Sequence, residues 1–214
     1  MIFFHECGHF ITAKLFRVKV DKIYLYPFGG ISKFNMSPNI SLAKEFLILI
    51  AGPLAQELTK IFLLLILPEY ESIIIAYHYG ILFFNLLPIY PLDGGKLINL
   101  LLSSFLPLRK SFTLSIYIGY LTLIFLFLVN INNLNLNIIF IITFLIYKLT
   151  YESHQINYLY QKFLLDRYLN NYKFKTTKII NNKDQFYRNN KHLLKIGDKY
   201  YYEKEFLSKM YKKS

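Results

Sequence analysis

The stretch "MIFFHECGHFITAKLF" at the start of the chain sets His5, Glu6 and His9 inside a run of Phe, Ile and Leu. Ionisable groups are costly in such surroundings and need a reason to be there. On a helix, residues four apart share one face a turn apart, so both imidazoles can reach one metal ion. Glu6 lies one step round that helix, within reach of a water held by the metal. This is the H-E-x-x-H spacing, in which two His bind Zn²⁺ and the Glu acts as general base. A catalytic zinc takes three protein ligands and keeps one position open. Asp93 is the candidate third ligand, because a carboxylate oxygen suits zinc and offsets part of its charge. Cys7 is two residues from each His, about 200° round the helix, and is expected to be a packing residue. His78, His154 and His192 have no partner pattern and are expected to be ordinary. The rival explanation of His5 and His9 is a pair of hydrogen-bonded core histidines.

These groups must be positioned by elements that the composition places in a bilayer. Of 214 residues, 54% are hydrophobic, and the mean hydropathy is +0.31. The apolar segments are Ile2–Phe16, Leu42–Leu67, Ile73–Leu106, Phe112–Val129 and Ile138–Leu149. The net charge of +12 is uneven, with 15 of the 25 Lys and Arg lying from Lys148 onward against 6 acidic residues. Short loops rich in Lys and Arg lie in the cytoplasm. Arg17 and Arg109 are then inside, Glu69 and Asn132 outside, and the basic tail inside. This gives a multi-pass cell-membrane protein with a cytoplasmic C-terminal tail, and the tail's charges are assigned to topology rather than to nucleic acid.

For the alternation to hold, Ile73–Leu106 must cross once, although it exceeds the roughly 20 residues a span needs. "NLLPIYPLDGG" explains the excess: Pro88, Pro91, Gly94 and Gly95 break the helix. Irregular backbone at membrane depth requires protein or a water-filled cavity around it, which places Asn85 and Asp93 in a polar-lined break. "VKVDKIYLYPFGGISKF" reads as two short strands joined through Pro27, Phe28, Gly29 and Gly30, and this hairpin could accept an extended substrate as an added strand. With Arg17 inside, the first helix starts at the outer face with only about 15 apolar residues, short of a span. A further apolar helix of roughly 25–40 residues with its turn is therefore expected upstream of Met1, giving six spans with both ends inside.

The run "HECGH", "PFGG", "AGP", "NLLPIYPLDGG", in that order, resembles the site-2 protease family of intramembrane zinc metalloproteases. "YLYPFGGISKF", "NLLPIYPLDGGKL" and "KFLLDRYLNNY" look most like the sporulation branch of that family, which processes a sigma-factor precursor. The resemblance runs from about Phe3 to about Asn171. It implies zinc held by His5, His9 and Asp93, Glu6 as base, Asn85 at the substrate or its scissile carbonyl, and Pro91 shaping the break. Gly29 and Gly30 would join Asn85 and Pro91 in contacting substrate. Relatives in this branch end in an ATP-sensing CBS domain. From Tyr172 only 43 residues remain, with one hairpin-like stretch "KIGDKYYYEKEF". That is short for a CBS domain and puts ATP binding by the tail in doubt.

The expectations are these. The fold is an all-α polytopic membrane protein, with a site-2 protease-like core, a small β-hairpin after the first helix and a short basic cytosolic tail. Residues 1–150 form the metalloprotease core, and 151–214 a tail that is a degenerate or truncated CBS-like region. The function is zinc-dependent hydrolysis of a peptide bond in a membrane-associated protein, a sporulation sigma-factor precursor among the candidates. The bilayer and regulatory membrane proteins are further partners. The alternative is a non-catalytic zinc-binding membrane scaffold, which has no need of Glu6. A metal transporter ranks lower, since its ligands would lie along a path rather than converge.

Overall fold

A computed structural model describes residues 1–26, 29–35 and 37–212, with side chains for 1–18 and 37–211. The elements run α1 (Ile2–Leu15), β1 (Lys19–Tyr26), β2 (Gly29–Asn35), α2 (Leu42–Ile66), α3 (Glu71–Asn85), α4 (Asp93–Phe105), α5 (Leu108–Val129) and α6 (Leu136–Leu169). They continue with β3 (Thr176–Ile180), β4 (Asn190–Ile196), β5 (Lys199–Tyr202) and α7 (Glu203–Lys212). Among the described residues, α2, α5 and α6 are long and apolar enough to cross a membrane. Their windows are at most 22% buried within the protein, so the apolar surface faces outward, as lipid contact requires.

α1 buries His5, Glu6, Gly8, His9 and Ala13, while Phe3, Phe4, Ile11 and Leu15 are exposed. The buried positions follow helical spacing and lie against α2. Small residues bring the two backbones together. A Cβ on Gly8 would come within 2.3 Å of the Ala51 carbonyl oxygen, so only glycine fits there. Gly52 does the same for the site, since a Cβ there would lie 2.3 Å from the His9 ring. Ser41 caps α2, accepting from the Lys44 N–H.

The expected break in the third apolar segment falls between α3 and α4. The Tyr90–Pro91 peptide is cis, and Ile89 is fully buried. The chain folds back tightly on the start of α4: a Cβ on Gly94 would be 2.1 Å from the Leu86 carbonyl oxygen, and one on Gly95 would be 2.3 Å from Tyr90 N. Asp93 is thereby fixed as the first residue of α4. Ile89 and Leu92 pack with Ile116 and Leu123 of α5 and Leu145 and Leu149 of α6, so the break is anchored in the helical core.

β1 and β2 pair antiparallel, with Tyr26 opposite Gly29 and Leu25 opposite Gly30. Gly29 and Gly30 therefore lie at the start of β2, and the expected turn residues Pro27 and Phe28 lie outside the described residues.

The tail differs from the sequence expectation in two ways. Its apolar stretch ends near Leu149, yet α6 continues without interruption to Leu169. Hydropathy marks where lipid ends, not where the helix ends. The added turns present Tyr160, Phe163 and Leu164 to a second core, made with Ile180, Phe186, Leu194 and Leu207. The tail, expected as a short basic region with one hairpin-like stretch, also folds as a small α/β unit, which qualifies the all-α expectation. β4 and β5 form the expected hairpin, turning at Gly197 with φ +60°, and β3 adds in parallel to β4. Leu108, at the start of α5, belongs to this same core and donates its N–H to the Phe186 carbonyl.

Candidate metal centre

Three side chains from two elements meet at one point. His5 Nε2 lies 2.9 Å from Asp93 Oδ2, His9 Nε2 lies 3.0 Å from the same oxygen, and the two Nε2 atoms are 3.2 Å apart. All three residues are buried, at 1%, 3% and 6% exposure. They form the one His/Cys/Asp/Glu cluster of metal-holding size among the described residues.

The outer hydrogen bonds decide which ring nitrogens carry protons. Gln56 is fully buried, and its side-chain NH₂ donates to the His78 backbone carbonyl at 2.8 Å. That fixes the amide orientation and turns Gln56 Oε1 toward His5 Nδ1 at 2.9 Å. Facing an acceptor, His5 Nδ1 must be the N–H. His9 Nδ1 faces the Ile48 carbonyl at 2.7 Å, with the same consequence. With Nδ1 engaged on protein in both rings, both Nε2 atoms are turned toward each other and toward one carboxylate oxygen. Two ring nitrogens and a carboxylate oxygen within 2.9–3.2 Å of one another form a convergent donor set, which a shared proton or a metal ion can occupy. Ligand atoms about 2.0–2.1 Å from a tetrahedral zinc are about 3.3 Å apart, so a few tenths of an ångström of outward movement accommodates the ion. The donor set, two imidazoles and a carboxylate, suits zinc. The core-histidine explanation would put a proton between Nε2 and Asp93 Oδ2; convergence of all three ligand atoms on one point, at the H-E-x-x-H spacing, favours a metal.

Lys96, one turn on from Asp93, donates to Asp93 Oδ1 at 3.2 Å and leaves Oδ2 aimed at the histidines. At the first turn of α4 the carboxylate also sits at the favourable end of the helix dipole. Glu6 is buried at 4% exposure on α1, next in sequence to His5. Asn85 is buried at 3% as the last residue of α3, and Pro91 follows in the break. Neither forms a hydrogen bond or ion pair with His5, His9 or Asp93 among the described residues; Asn85 precedes and Pro91 lies in the loop that delivers Asp93. Gly29 and Gly30 are placed only by their register in β2.

Sequence reasoning missed Gln56 and Lys96. Gln56 lies in the "AGPLAQ" run of an apolar helix, and a lone amide there was the available signal. Lys96 follows directly on "DGG". His78 is not a bystander either. It is fully buried between Gln56, which its carbonyl anchors, and Glu57, whose Oε2 lies 3.0 Å from its Nε2. Cys7 is partly buried and lies outside the cluster.

Comparison with known proteins gives a consistent picture. Residues 1–72 match the model of peptidase family M50. The chain is 34% identical over 177 residues to stage IV sporulation protein FB of Bacillus subtilis, covering 78% of this chain and 61% of that protein. It is 30% identical over 158 residues to zinc metalloprotease MJ0392 of Methanocaldococcus jannaschii, covering 70% of this chain and 46% of that protein. The chain thus spans less than two thirds of the length of these curated relatives. A solved structure, the site-2 protease from M. jannaschii, superposes with a TM-score of 0.58 at 29% identity, covering 71% of this chain and 73% of that one. Motif order, helical core and apolar helices agree with these matches: the chain is a multi-pass membrane homologue of the site-2 proteases of peptidase family M50.

Proposed function

We propose that the chain is an intramembrane zinc metalloprotease that hydrolyses a peptide bond of a membrane-associated protein. The observation that carries this is the convergence of His5 Nε2, His9 Nε2 and Asp93 Oδ2 on one buried point, with both Nδ1 atoms turned away onto protein acceptors. His5, His9 and Asp93 would hold the zinc, which when bound polarises the scissile carbonyl and makes a water acidic enough to deprotonate near neutral pH.

The remaining steps belong to the chain's own groups. Glu6 takes a proton from the attacking water and returns it to the nitrogen of the leaving amine, which must be protonated to depart. Gln56 and the Ile48 carbonyl keep both rings in the tautomer that leaves Nε2 free. Lys96 steadies the Asp93 carboxylate. Asn85 donates toward the substrate carbonyl, Pro91 holds the shape of the loop, and the β2 backbone from Gly29 and Gly30 pairs with an extended substrate segment. The tail lies on the cytoplasmic side, by the charge asymmetry of the loops. A sporulation sigma-factor precursor is the substrate candidate supported by the likeness to stage IV sporulation protein FB.

The test is co-expression of the chain with a tagged membrane-associated sigma-factor precursor, scoring cleavage by the change in its size. Cleavage by the wild type, abolished in Glu6→Gln at equal zinc content, supports the protease. Zinc binding with no cleavage of any membrane-associated substrate by the wild type would favour the non-catalytic scaffold.

A further inference from the structure

A cleft of about 560 Å³ opens between the start of α5 and the turn 182–185 of the tail. That volume is in the range of small-ligand sites. Its polar groups are unevenly used. Asn182 Oδ1 accepts from the Asp184 N–H and Gln185 Oε1 from the Asn181 N–H, so both amide oxygens are engaged. Among the described residues, the amide NH₂ groups of Asn182 and Gln185 have no such partner. Lys110, exposed at the same cleft, has no ion pair or hydrogen bond among the described residues. The one carboxylate in the lining, Asp184, is paired with Arg109 at 2.7 Å. The cleft therefore has spare donors and one spare cation, and its acceptors are largely satisfied. Such a lining fits an anionic group rich in oxygen.

The other wall is apolar and leads into the membrane. Leu114 and Tyr117 line the cleft, and below them Leu121, Phe125 and Leu128 continue the same exposed stripe of α5. These positions are spaced three or four apart, so they form one face of a helix long enough to span the bilayer. A soluble anion would use the polar end alone. An amphiphile uses both, with its head among the donors and a chain along the stripe. We propose that this cleft binds the phosphate-bearing headgroup of an anionic phospholipid, whose acyl chain lies along α5. The lipid would then bridge two elements, since Lys110 is on α5 and Asn182 and Gln185 belong to the tail unit.

The experiment uses the full chain in detergent. Native mass spectrometry would follow retention of phosphatidylglycerol against phosphatidylcholine with identical acyl chains, and thermal melting would follow stabilisation by each lipid and by inorganic phosphate. Wild type is expected to retain phosphatidylglycerol about tenfold better than phosphatidylcholine, as one charge-assisted contact allows. Lys110→Glu and, independently, Gln185→Glu should remove the preference while melting as wild type does without lipid. Lys195→Glu makes the same charge change on β4, outside the cleft, and should keep the preference. Equal retention of the two lipids would overturn the proposal, as would a loss in Lys195→Glu equal to that in Lys110→Glu. Stabilisation by inorganic phosphate equal to that by phosphatidylglycerol would also overturn it, showing a phosphate site with no use for the stripe.

Discussion

The His5–His9–Asp93 cluster and the Arg167–Glu203–His192 cluster are both buried, yet their hydrogen bonding is completed differently. In the tail, the Arg167 guanidinium donates to Asn39 Oδ1, the carbonyls of Tyr187, Arg188 and Asn190, and both oxygens of Glu203. Glu203 in turn accepts from the His192 N–H, and His192 Nε2 accepts from the Tyr187 N–H. Each of the three charged or ring groups is held by protein partners within the tail and the segment before α2. At the membrane cluster the outward-facing atoms are satisfied in the same way, but the inward-facing ones are two ring nitrogens and a carboxylate oxygen converging on one point, the arrangement of a metal-ligand set. Burial alone therefore does not distinguish structure from function. What distinguishes them is whether the polar groups are closed on themselves or open to a guest.

The strongest way to break that contrast is to alter the open cluster. Asp93→Ala removes the anionic ligand and should lose both zinc, read by metal analysis of purified protein, and proteolysis. Glu6→Gln leaves the imidazoles untouched and should keep zinc while lowering hydrolysis about 10²–10⁴-fold, the range for a lost general base. Full zinc occupancy in Asp93→Ala would require another third ligand. Near wild-type cleavage in Glu6→Gln would remove Glu6 from the mechanism.

The closed cluster should respond in stability instead. Arg167→Ala strands Glu203 in the tail core and is expected to cost about 3–5 kcal/mol, the usual penalty for halving a buried ion pair. The readout is proteolytic opening or melting of the tail, with zinc content of the core unchanged. Replacing the pair together, as Arg167→Met with Glu203→Leu, should recover most of that loss because no lone charge remains. Zinc loss in Arg167→Ala would show that the two clusters are coupled. A route for such coupling exists: Arg167 bonds Asn39, on the segment leading into α2, and Arg188 bonds Glu45 in its first turn.

The two clusters were also unequally legible in the sequence. His5, Glu6 and His9 declare themselves because their chemistry needs a fixed local spacing, and Asp93 because Pro and Gly break the helix around it. Gln56 and Lys96 act across elements or through one hydrogen bond, and a single amide or lysine has no spacing to read. The tail was harder still. Arg167, His192 and Glu203 are polar residues in a polar stretch, and only the pairing of β3, β4 and β5 brings them together. The reach of α6 beyond its apolar segment was not legible for a related reason, since Asp166 and Arg167 look like solvent-facing charges until Asn39 and the tail cover them.

Gln56→Ala tests the supporting shell and sharpens the comparison, because it adds a fault to the satisfied outer side of the open cluster. Losing the Gln56 Oε1 acceptor frees His5 to rotate or change tautomer. Losing a group that orients a metal-ligand ring lowers metal affinity about 10–100-fold. Gln56→Glu keeps an acceptor for the Nδ1–H and should lose less. Competition against a chelator gives the values, and affinities equal to wild type in Gln56→Ala would show that the tautomer is held by other means.

The smallest effect is expected from acid, and it concerns the closed cluster alone. Burial pushes the His192 pKa below its ordinary value; the neighbouring Arg167 and Lys178 charges add to this, and the Glu203 carboxylate opposes it. Burial would raise Glu203, but its hydrogen bond from His192 and the Arg167 charge outweigh that and hold it low. Both shifts have the same sign for stability. A group whose folded pKa is depressed binds fewer protons folded than unfolded, so its contribution is present above the unfolded pKa and is lost as pH falls through the folded one. For His192 the loss begins below about pH 6.5, and for Glu203 below about pH 4.3. Protonating His192 at Nε2 also breaks the bond from the Tyr187 N–H. Melting of the tail, followed from pH 8 to pH 5 in full-length protein, should therefore shift to lower temperature as the solution becomes acidic. In His192→Asn, which cannot titrate, the slope across that window should flatten even though the variant starts less stable. A slope as steep in His192→Asn as in wild type would place the titrating group elsewhere and leave the closed cluster without its acid response.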